Sequence, residues 1–254
     1  MSVQDNEENM LKDKVVLITG GARRIGAQVC RTLHAQGMRL VIHYRSSDED
    51  AHALQKELLA QRADSVMLVQ GDMLNVAKLK NLVHETIEAF GRLDVLINNA
   101  STFYTTPLDE ADESQWEDLL GTNLKAPFFL AQAAAAQLRK HQGCIINMAD
   151  IHGERPLKTY PIYSIAKAGM VMLTKSLARE LGPDVRVNGI APGAIMWPEN
   201  EMDDMAKQRI ISRTPLRTVG SPEDIARTIL FLIRDAGFIN GHVISVCGGR
   251  SVVL

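Results

Sequence analysis

Two side chains four residues apart are the first candidates for chemistry in this sequence. Tyr163 and Lys167 are spaced so that, on a helix, they lie on the same face about one turn apart. An unperturbed tyrosine has a pKa of about 10 and exchanges protons poorly near neutrality. Because a neighbouring ammonium group favours the phenolate, Lys167 is expected to lower the pKa of Tyr163. The pair therefore predicts a general acid that gives a proton to a substrate.

A glycine-rich segment near the start of the chain predicts that a phosphate binds there. The segment, residues 19–26, has the sequence TGGARRIG and stands between the apolar run Val15–Ile18 and a helical pattern. In that context glycines let the backbone approach a pyrophosphate, and the helix N-terminus supplies N–H groups. The predicted contacts are Gly20, Arg23, Arg24, Ile25 and Gly26.

The end of the second predicted strand indicates which dinucleotide binds. An acidic residue there usually holds the ribose 2′-hydroxyl of NAD, whereas this strand ends His43-Tyr44-Arg45-Ser46-Ser47 with no carboxylate before Asp48. A guanidinium and two hydroxyls suit a 2′-phosphate, and Arg23 in the glycine turn would add a second cation, so NADPH is the predicted cofactor. The alternative is that Arg45 and Arg23 are solvated surface charges. After the third strand, the predicted cofactor contacts are Asp72, at the adenine, and Met73.

The elements that must position these groups follow from short apolar runs that alternate with longer helical patterns. Such alternation indicates βαβ units and a parallel sheet. We predict an α/β fold: a single doubly wound Rossmann-type domain over residues 13–254, with a seven-stranded, mostly parallel sheet and helices on both faces. Residues 1–12 are predicted to be a flexible N-terminal tail.

The predicted elements have the following bounds. The strands are Val15–Thr19, Arg39–Tyr44, Val66–Gln70, Leu93–Asn98, Cys144–Met148, Arg186–Ile190 and Val243–Val246. The helical stretches are near 24–36, 48–62, 75–90, 123–141, 161–182 and 222–235.

Composition excludes several classes of function. The 254 residues carry a formal net charge of −2, which gives no reason to expect nucleic acid or an anionic membrane as a partner. The apolar runs are strand-sized, so no membrane span is predicted, and the acidic start lacks the apolar region of a secretory signal. Neither the three cysteines nor the seven histidines have metal-binding spacing. We expect a cytoplasmic protein without a metal, whose partner is a small molecule.

Four motifs stand in an order that resembles the short-chain dehydrogenase/reductase family, over essentially the whole chain after residue 13. They are the glycine turn, Asn98-Asn99-Ala100 after the fourth strand, Asn123, and the Tyr163/Lys167 pair after the fifth. The resemblance implies that Tyr163 is the acid, that Lys167 binds the nicotinamide ribose, and that Asn123 supports a proton-relay water. It also implies a homotetramer. The further cofactor contacts that it implies are Asn99, Ala100, Ser101, Tyr163, Lys167, Pro192 and Gly193.

One position departs from the family pattern. Where the family has a serine that holds a substrate carbonyl, thirteen residues before Tyr163, this chain has Asp150. An ionised carboxylate only accepts hydrogen bonds, and it would repel a developing alkoxide. Asp150 therefore suits a substrate that presents N–H groups or is protonated at nitrogen.

Three features of the sequence together resemble pteridine reductases. They are Asp150, the segment Asn99–Phe103, and Arg24 at a position in the glycine turn where the family usually has a glycine. This resemblance implies that Phe103 stacks on a pterin ring opposite the nicotinamide, and that Arg24 and Ser101 contact the pterin or a cofactor phosphate. Asp150 and Tyr163 would then face the reducible C=N bond. The implied activity is hydride transfer from NADPH to a pterin or dihydropterin, with dihydrofolate as a further candidate substrate.

The long connection Ala194–Arg217 predicts a lid over the substrate, with Trp197 as a substrate contact, because long connections in compact domains often cover sites. An ordinary packed insertion is the alternative. Two alternative functions also stay open: a carbonyl reductase of the same family, acting on a 3-oxoacyl thioester or another ketone, and a non-catalytic NADPH-binding sensor. Asp150 in place of serine disfavours the first, and the intact Tyr163, Lys167 and Asn123 disfavour the second.

Overall fold

A computed structural model of the chain describes residues 10–197 and 203–253. Residues 1–9 of the predicted tail lie outside the described residues, and so do 198–202 of the predicted lid. Leu11 is buried in the core, so the packed part of the chain already includes residues just before position 13.

The sheet has seven strands, and every pair of neighbouring strands is parallel. The strands are β1 (Val15–Ile18), β2 (Arg39–Tyr44), β3 (Val66–Gln70), β4 (Val95–Asn98), β5 (Cys144–Met148), β6 (Arg186–Pro192) and β7 (Val243–Val246). Their order is β3-β2-β1-β4-β5-β6-β7. The chain reverses direction across the sheet between β1 and β4, and the carboxyl ends of strands at such a point form a ligand-binding crevice.

The helices that cover the sheet were predicted in part. The described α-helices are α1 (Arg24–Ala35), α2 (Asp48–Leu59), α3 (Val76–Phe90), α4 (Glu113–Leu120), α5 (Ala126–Lys140), α6 (Pro161–Leu181), α7 (Asp204–Ser212) and α8 (Pro222–Arg234). The stretch predicted as one helix over 123–141 begins instead with a π-helical turn, Gly121–Lys125, which joins α4 to α5.

Alternation along the strands explains why helices cover both faces. In β1, Val16 and Ile18 belong to a core shared with α1, α2 and α8, while Val15 and Leu17 belong to a second core shared with α3, α5 and α6. All four side chains are buried. The predicted doubly wound α/β fold is thus confirmed, and its two cores fix the strand ends that carry the candidate site.

Candidate active site

The glycine turn has the geometry that a phosphate-binding segment needs. Gly20 has a φ of +60°, and a Cβ there would lie 2.9 Å from the Ala100 Cα. A Cβ on Gly26 would overlap the Gly20 carbonyl oxygen and lie 2.9 Å from the Asn99 side-chain nitrogen. Asn99 donates from that nitrogen to the carbonyls of Thr19 (2.9 Å) and Gly20 (2.8 Å). The turn is therefore packed backbone against backbone, which only glycine permits.

Around this turn lies a cleft of about 470 Å³. The side chain of the N-cap residue, Arg23, does not cap the N-terminus of α1, so the backbone N–H groups at this helix end favour an anion in the cleft. The Thr122 hydroxyl, in the π-helical turn, is buried and has no partner among the described residues. A bound polar group would satisfy it. Predicted cofactor contacts that line the cleft are Gly20, Arg23, Arg24, Ile25, Gly26, Tyr44, Arg45, Ser46, Asp72, Met73, Asn99, Ala100 and Ser101.

The cleft also contains Ser47, the second predicted hydroxyl at the end of β2, and residues that sequence reasoning missed, namely Ala22, His43, Thr102 and Thr122. His43 lies within a predicted strand, and a polar side chain near the carboxyl end of a buried strand is the signal that could have identified it. Thr122 gave no signal, because the prediction placed this part of the chain just before a regular helix, whereas a π-helical turn turns its side chain to the cleft. Such turns are frequent at functional sites.

At the end of β2, the cleft has a basic and hydroxylated rim. Arg45 and Ser46 are exposed there, while the Tyr44 hydroxyl donates to Asp48 Oδ1 (2.9 Å). Arg23 lies across from them and forms an ion pair of 3.4 Å with Asp50. These positions are where the 2′-phosphate was predicted.

The predicted catalytic side chains meet at the ends of β5 and α6. The Tyr163 hydroxyl donates to Asp150 Oδ2 (2.9 Å), and the other carboxylate oxygen, Oδ1, accepts from the His152 N–H (2.8 Å). The Lys167 side chain is 2% exposed, and its Nζ donates to the Met148 carbonyl (2.9 Å). Asp150 is thus oriented by the backbone on one side and by the phenol on the other.

The electrostatics of this cluster overturn one expectation. Burial, followed by the charge of Asp150 and the hydrogen bond to it, raises the pKa of Tyr163 well above 10.0, while the nearby Ser101 hydroxyl lowers it. Burial also lowers the pKa of Lys167 to about 8, against the opposing effect of Asp150. The prediction that Lys167 lowers the pKa of Tyr163 is wrong here. Lys167 donates to the Met148 carbonyl, and the pKa of the phenol is determined mainly by burial and by Asp150.

The Asn123 side chain is fully bonded to the protein. Its amide nitrogen donates to the carbonyls of Leu119 (2.9 Å) and Thr102 (3.0 Å), and its oxygen accepts from the Ser101 hydroxyl (2.6 Å). The side chain is 0% exposed. Asn123 therefore holds the segment after β4 against the π-helical turn, and its role with a relay water stays a prediction.

An aromatic group forms the outer wall beside the phenol. Phe103 stacks on Tyr160, with ring centroids 4.6 Å apart and planes at 9°, and it meets Tyr163 edge-on at 4.8 Å. The Phe103 side chain is 53% exposed, so a flat ligand can reach it. Tyr160 is thus part of this wall.

The remaining predicted residues lie around the same crevice. Pro192 ends β6 in a buried position, and Gly193 follows, where a Cβ would lie 2.7 Å from the Cys247 Cβ. Arg24 has a φ of 51°, and its guanidinium donates to the Trp197 carbonyl (3.3 Å), so it links the glycine turn to the start of the predicted lid.

Comparisons with known proteins agree with this arrangement. A family model described as enoyl-(acyl carrier protein) reductase matches residues 20–251. The 3-oxoacyl-(acyl-carrier-protein) reductase FabG of Staphylococcus aureus is 36% identical over 244 residues, which cover 94% of this chain and 99% of that protein. The BbsD subunit of a hydroxy(phenyl)methyl-succinyl-CoA dehydrogenase of Thauera aromatica is 37% identical (95% and 98% covered). Pteridine reductase 1 of Leishmania tarentolae is 34% identical (94% and 96% covered).

Proposed function

Because the chain belongs to the short-chain dehydrogenase/reductase family, we propose that it is an NADPH-dependent pteridine reductase. Membership makes the chain an NAD(P)-dependent oxidoreductase; the choice of NADPH and of a pterin or dihydropterin substrate is the proposal. Dihydrofolate is a further candidate substrate. The observation that carries the proposal is the hydrogen bond between Tyr163 and Asp150, at the position where a hydroxyl would serve a ketone.

Asp150 suits a nitrogen heterocycle for a physical reason. Oδ2 faces the phenol, and a carboxylate oxygen can accept more than one hydrogen bond. A pterin offers N–H groups beside its reducible bond, whereas a ketone offers only an acceptor and develops negative charge on oxygen. The exposed face of Phe103 supplies a platform for a flat ring next to this pair.

In the proposed reaction a reduced nicotinamide, when bound, supplies the hydride that adds to the carbon of the C=N bond. The nitrogen then gains the electron pair of the π bond, and Tyr163 gives it a proton. A phenol with a raised pKa holds this proton firmly at neutral pH, and it loses the proton only when the nitrogen has become strongly basic. Asp150 orients the phenol, and Lys167 holds the end of β5 through the Met148 carbonyl.

The basic rim supports the choice of NADPH. Arg45 and Ser46 stand where a ribose 2′-substituent would lie, and a guanidinium binds a 2′-phosphate better than it binds a 2′-hydroxyl.

A cytoplasmic homotetramer is also proposed, from the family resemblance. No helix among residues 10–197 and 203–253 is long and apolar enough to cross a membrane, and light scattering of the purified protein would check the tetramer.

A second candidate function is reduction of a 3-oxoacyl thioester. It is supported by the 36% identity to a 3-oxoacyl-(acyl-carrier-protein) reductase, a value close to that of pteridine reductase 1. The proposed lid over residues 194–217 would close on either substrate, so the lid does not separate the two functions.

The deciding experiment compares substrates on one preparation. With NADPH, we expect turnover of dihydrobiopterin and little turnover of acetoacetyl-CoA. Dihydrofolate is assayed in the same way as a further candidate substrate. Asp150→Ser should reduce kcat/KM for the pterin about 100-fold, as expected for loss of a group that orients the acid, while NADPH binding stays nearly unchanged.

The chain offers a matched control for this substitution. The Tyr104 hydroxyl donates to Asp118 Oδ2 over the same 2.9 Å, outside the cleft. Asp118→Ser should therefore leave the ratio of pterin to ketone activity as it is. Faster reduction of acetoacetyl-CoA than of any pterin by the unaltered protein would favour the second candidate, and unchanged pterin turnover in Asp150→Ser would remove Asp150 from the mechanism.

A further inference from the structure

His43 is a buried histidine that holds the glycine turn from the neighbouring strand. It is the fifth residue of β2 and its side chain is 1% exposed. The ring Nδ1 lies 3.3 Å from the Gly20 amide nitrogen, and Nε2 lies 3.1 Å from the Gly71 carbonyl oxygen. The His43 carbonyl also accepts from the Gly21 N–H (3.0 Å). One residue thus fixes two consecutive N–H groups of the turn and ties them to the end of β3.

The partners of the ring determine its protonation state. The Gly20 N–H can only donate, so Nδ1 must be the unprotonated acceptor, and the Gly71 carbonyl can only accept, so Nε2 must carry the proton. Only the neutral Nε2–H tautomer satisfies both. In the imidazolium form, an Nδ1–H would face the Gly20 N–H, and the turn would have to move away because two donors cannot bond each other.

The charges around the ring are few. Burial lowers the pKa of His43, while the Gly71 carbonyl and the charge of Asp72 oppose that effect. A Cβ on Gly71 would lie 3.5 Å from the His43 Nε2 and 3.6 Å from a methyl group of Leu82, so this apolar residue of α3 lies near the Nε2 side of the ring. Three arginines line the same cleft: Arg23, Arg24 and Arg45.

We propose that His43 is a positioning residue for the cofactor, which keeps the glycine turn in its phosphate-binding conformation only while its ring is neutral. The conformation at stake is that of Gly20, whose φ of +60° brings it against Ala100. The consequence is a cofactor affinity that falls in acid, with the effect on KM for NADPH larger than the effect on kcat. The inference rests on the proposed cofactor site but not on the proposed substrate.

Two substitutions separate the two ends of the ring. In His43→Asn the amide oxygen takes the place of Nδ1 and can still accept from Gly20, but it does not titrate. In His43→Gln the amide nitrogen reaches the place of Nε2 and can still donate to Gly71, but the acceptor for Gly20 is lost. The probe is NADPH itself, with its dissociation constant followed by nucleotide fluorescence from about pH 8 to about pH 5.5, below the usual histidine pKa.

In the unaltered protein the dissociation constant for NADPH should rise across this range as the buried hydrogen bond is replaced by an unsatisfied pair. Because the pKa of His43 is lowered, the rise should be smaller than the roughly tenfold that a pKa of about 6.5 would give. In His43→Asn it should rise much less. Because the 2′-phosphate itself titrates near pH 6, the difference between these two proteins is the quantity that counts. His43→Gln should bind NADPH about tenfold more weakly even at pH 8.

Stability gives a second measurement of the same coupling. Because the pKa of His43 is lowered in the folded protein, the unfolded chain binds the proton more readily. The stability that neutral His43 contributes is present above about pH 6.5 and is lost as the pH falls below it. The melting temperature of the unaltered protein should therefore fall more in acid than that of His43→Asn.

Two outcomes would overturn the inference alone: the same pH dependence of NADPH binding in the unaltered protein and in His43→Asn, or ring ¹⁵N chemical shifts that show an Nδ1–H tautomer for His43. The second test needs no variant that must fold. Failure of the unaltered protein to bind NADPH or NADH at pH 8 would overturn the proposed function, and this inference with it.

Discussion

The two halves of the crevice are built by different means. In the cofactor half, at the ends of β1, β2 and β3, the fit depends on backbone: Gly20 and Gly26 stand where a Cβ would collide, and His43 holds the turn in a neutral form. In the catalytic half, at the ends of β4, β5 and β6, it depends on charged side chains, with Tyr163 bonded to Asp150. One half is shaped by sterics and the other by coupled protonation.

This difference indicates which properties of the enzyme can change when residues in each half are substituted. A sterically defined turn tolerates almost no substitution, but it accepts the same diphosphate whatever the substrate is. A charge-coupled cluster can accommodate a different side chain, such as aspartate for serine, and we expect that change to alter which atom of a substrate is protonated. We therefore expect substitutions in the catalytic half to change kcat and substrate choice, and those in the cofactor half to change nucleotide binding.

The largest effect is expected from Tyr163→Phe, which removes the acid from the catalytic half. Turnover of any substrate should fall by about 10² to 10⁴, the range that general acid–base groups contribute. The NADPH dissociation constant should change little by comparison, because the glycine turn is untouched. Steady-state kinetics with dihydrobiopterin, together with nucleotide binding, measures both quantities.

Tyr160→Phe is the comparison for that loss. Tyr160 lies just before the helix that carries Tyr163, and it stacks on Phe103. Like Tyr163→Phe, the substitution removes one phenolic hydroxyl and keeps the ring. If Tyr160→Phe lost as much turnover as Tyr163→Phe, the acid would not be assigned to Tyr163 alone.

A smaller effect, confined to binding, is expected from Gly26→Ala in the cofactor half. The new Cβ would meet the Gly20 carbonyl, and overpacking of this kind typically costs about 1–3 kcal/mol, or about 5- to 150-fold in the NADPH dissociation constant. Gly237→Ala is the matched control, because a Cβ there meets nothing within 4 Å. If Gly26→Ala reduced kcat and left NADPH binding intact, the distinction between the two halves would be wrong.

The smallest effect is expected from Arg45→Glu, at the exposed rim. Because the site is exposed and ion pairs there are screened, the preference for NADPH over NADH should fall by about tenfold rather than by orders of magnitude. Arg139→Glu makes the same change of charge at an exposed position on α5. A preference that is unchanged in Arg45→Glu would contradict the assignment of the 2′-phosphate to this rim.

Much of the fold could be predicted because strands buried on both faces of a parallel sheet give short, nearly continuous apolar runs in the sequence. Four of the seven strands have the predicted bounds, among them Arg39–Tyr44 and Cys144–Met148. Helix α7 was missed because none of its residues is buried, so it has no apolar periodicity. Helix α4 could have been found, since Asp112 and Gln115 form a capping box at its start.

The site could be predicted as a set of residues but not as a set of protonation states. Glycine spacing and the Tyr163/Lys167 pair predicted a set of side chains that the structure places at one edge of the sheet. The direction of the Tyr163 pKa was predicted wrongly, because it depends on burial and on the distance to Asp150, and neither is encoded in spacing. His43 was missed because its function depends on two backbone partners from other loops.

The most direct test of the charge-coupled half is the titration of Tyr163 itself. With ¹³Cζ-labelled tyrosine, and with Tyr163→Phe to assign the signal, we predict a phenol that stays protonated well beyond pH 10 and titrates at lower pH in Asp150→Asn. A Tyr163 that loses its proton below pH 10, or that titrates identically in Asp150→Asn, would contradict the account.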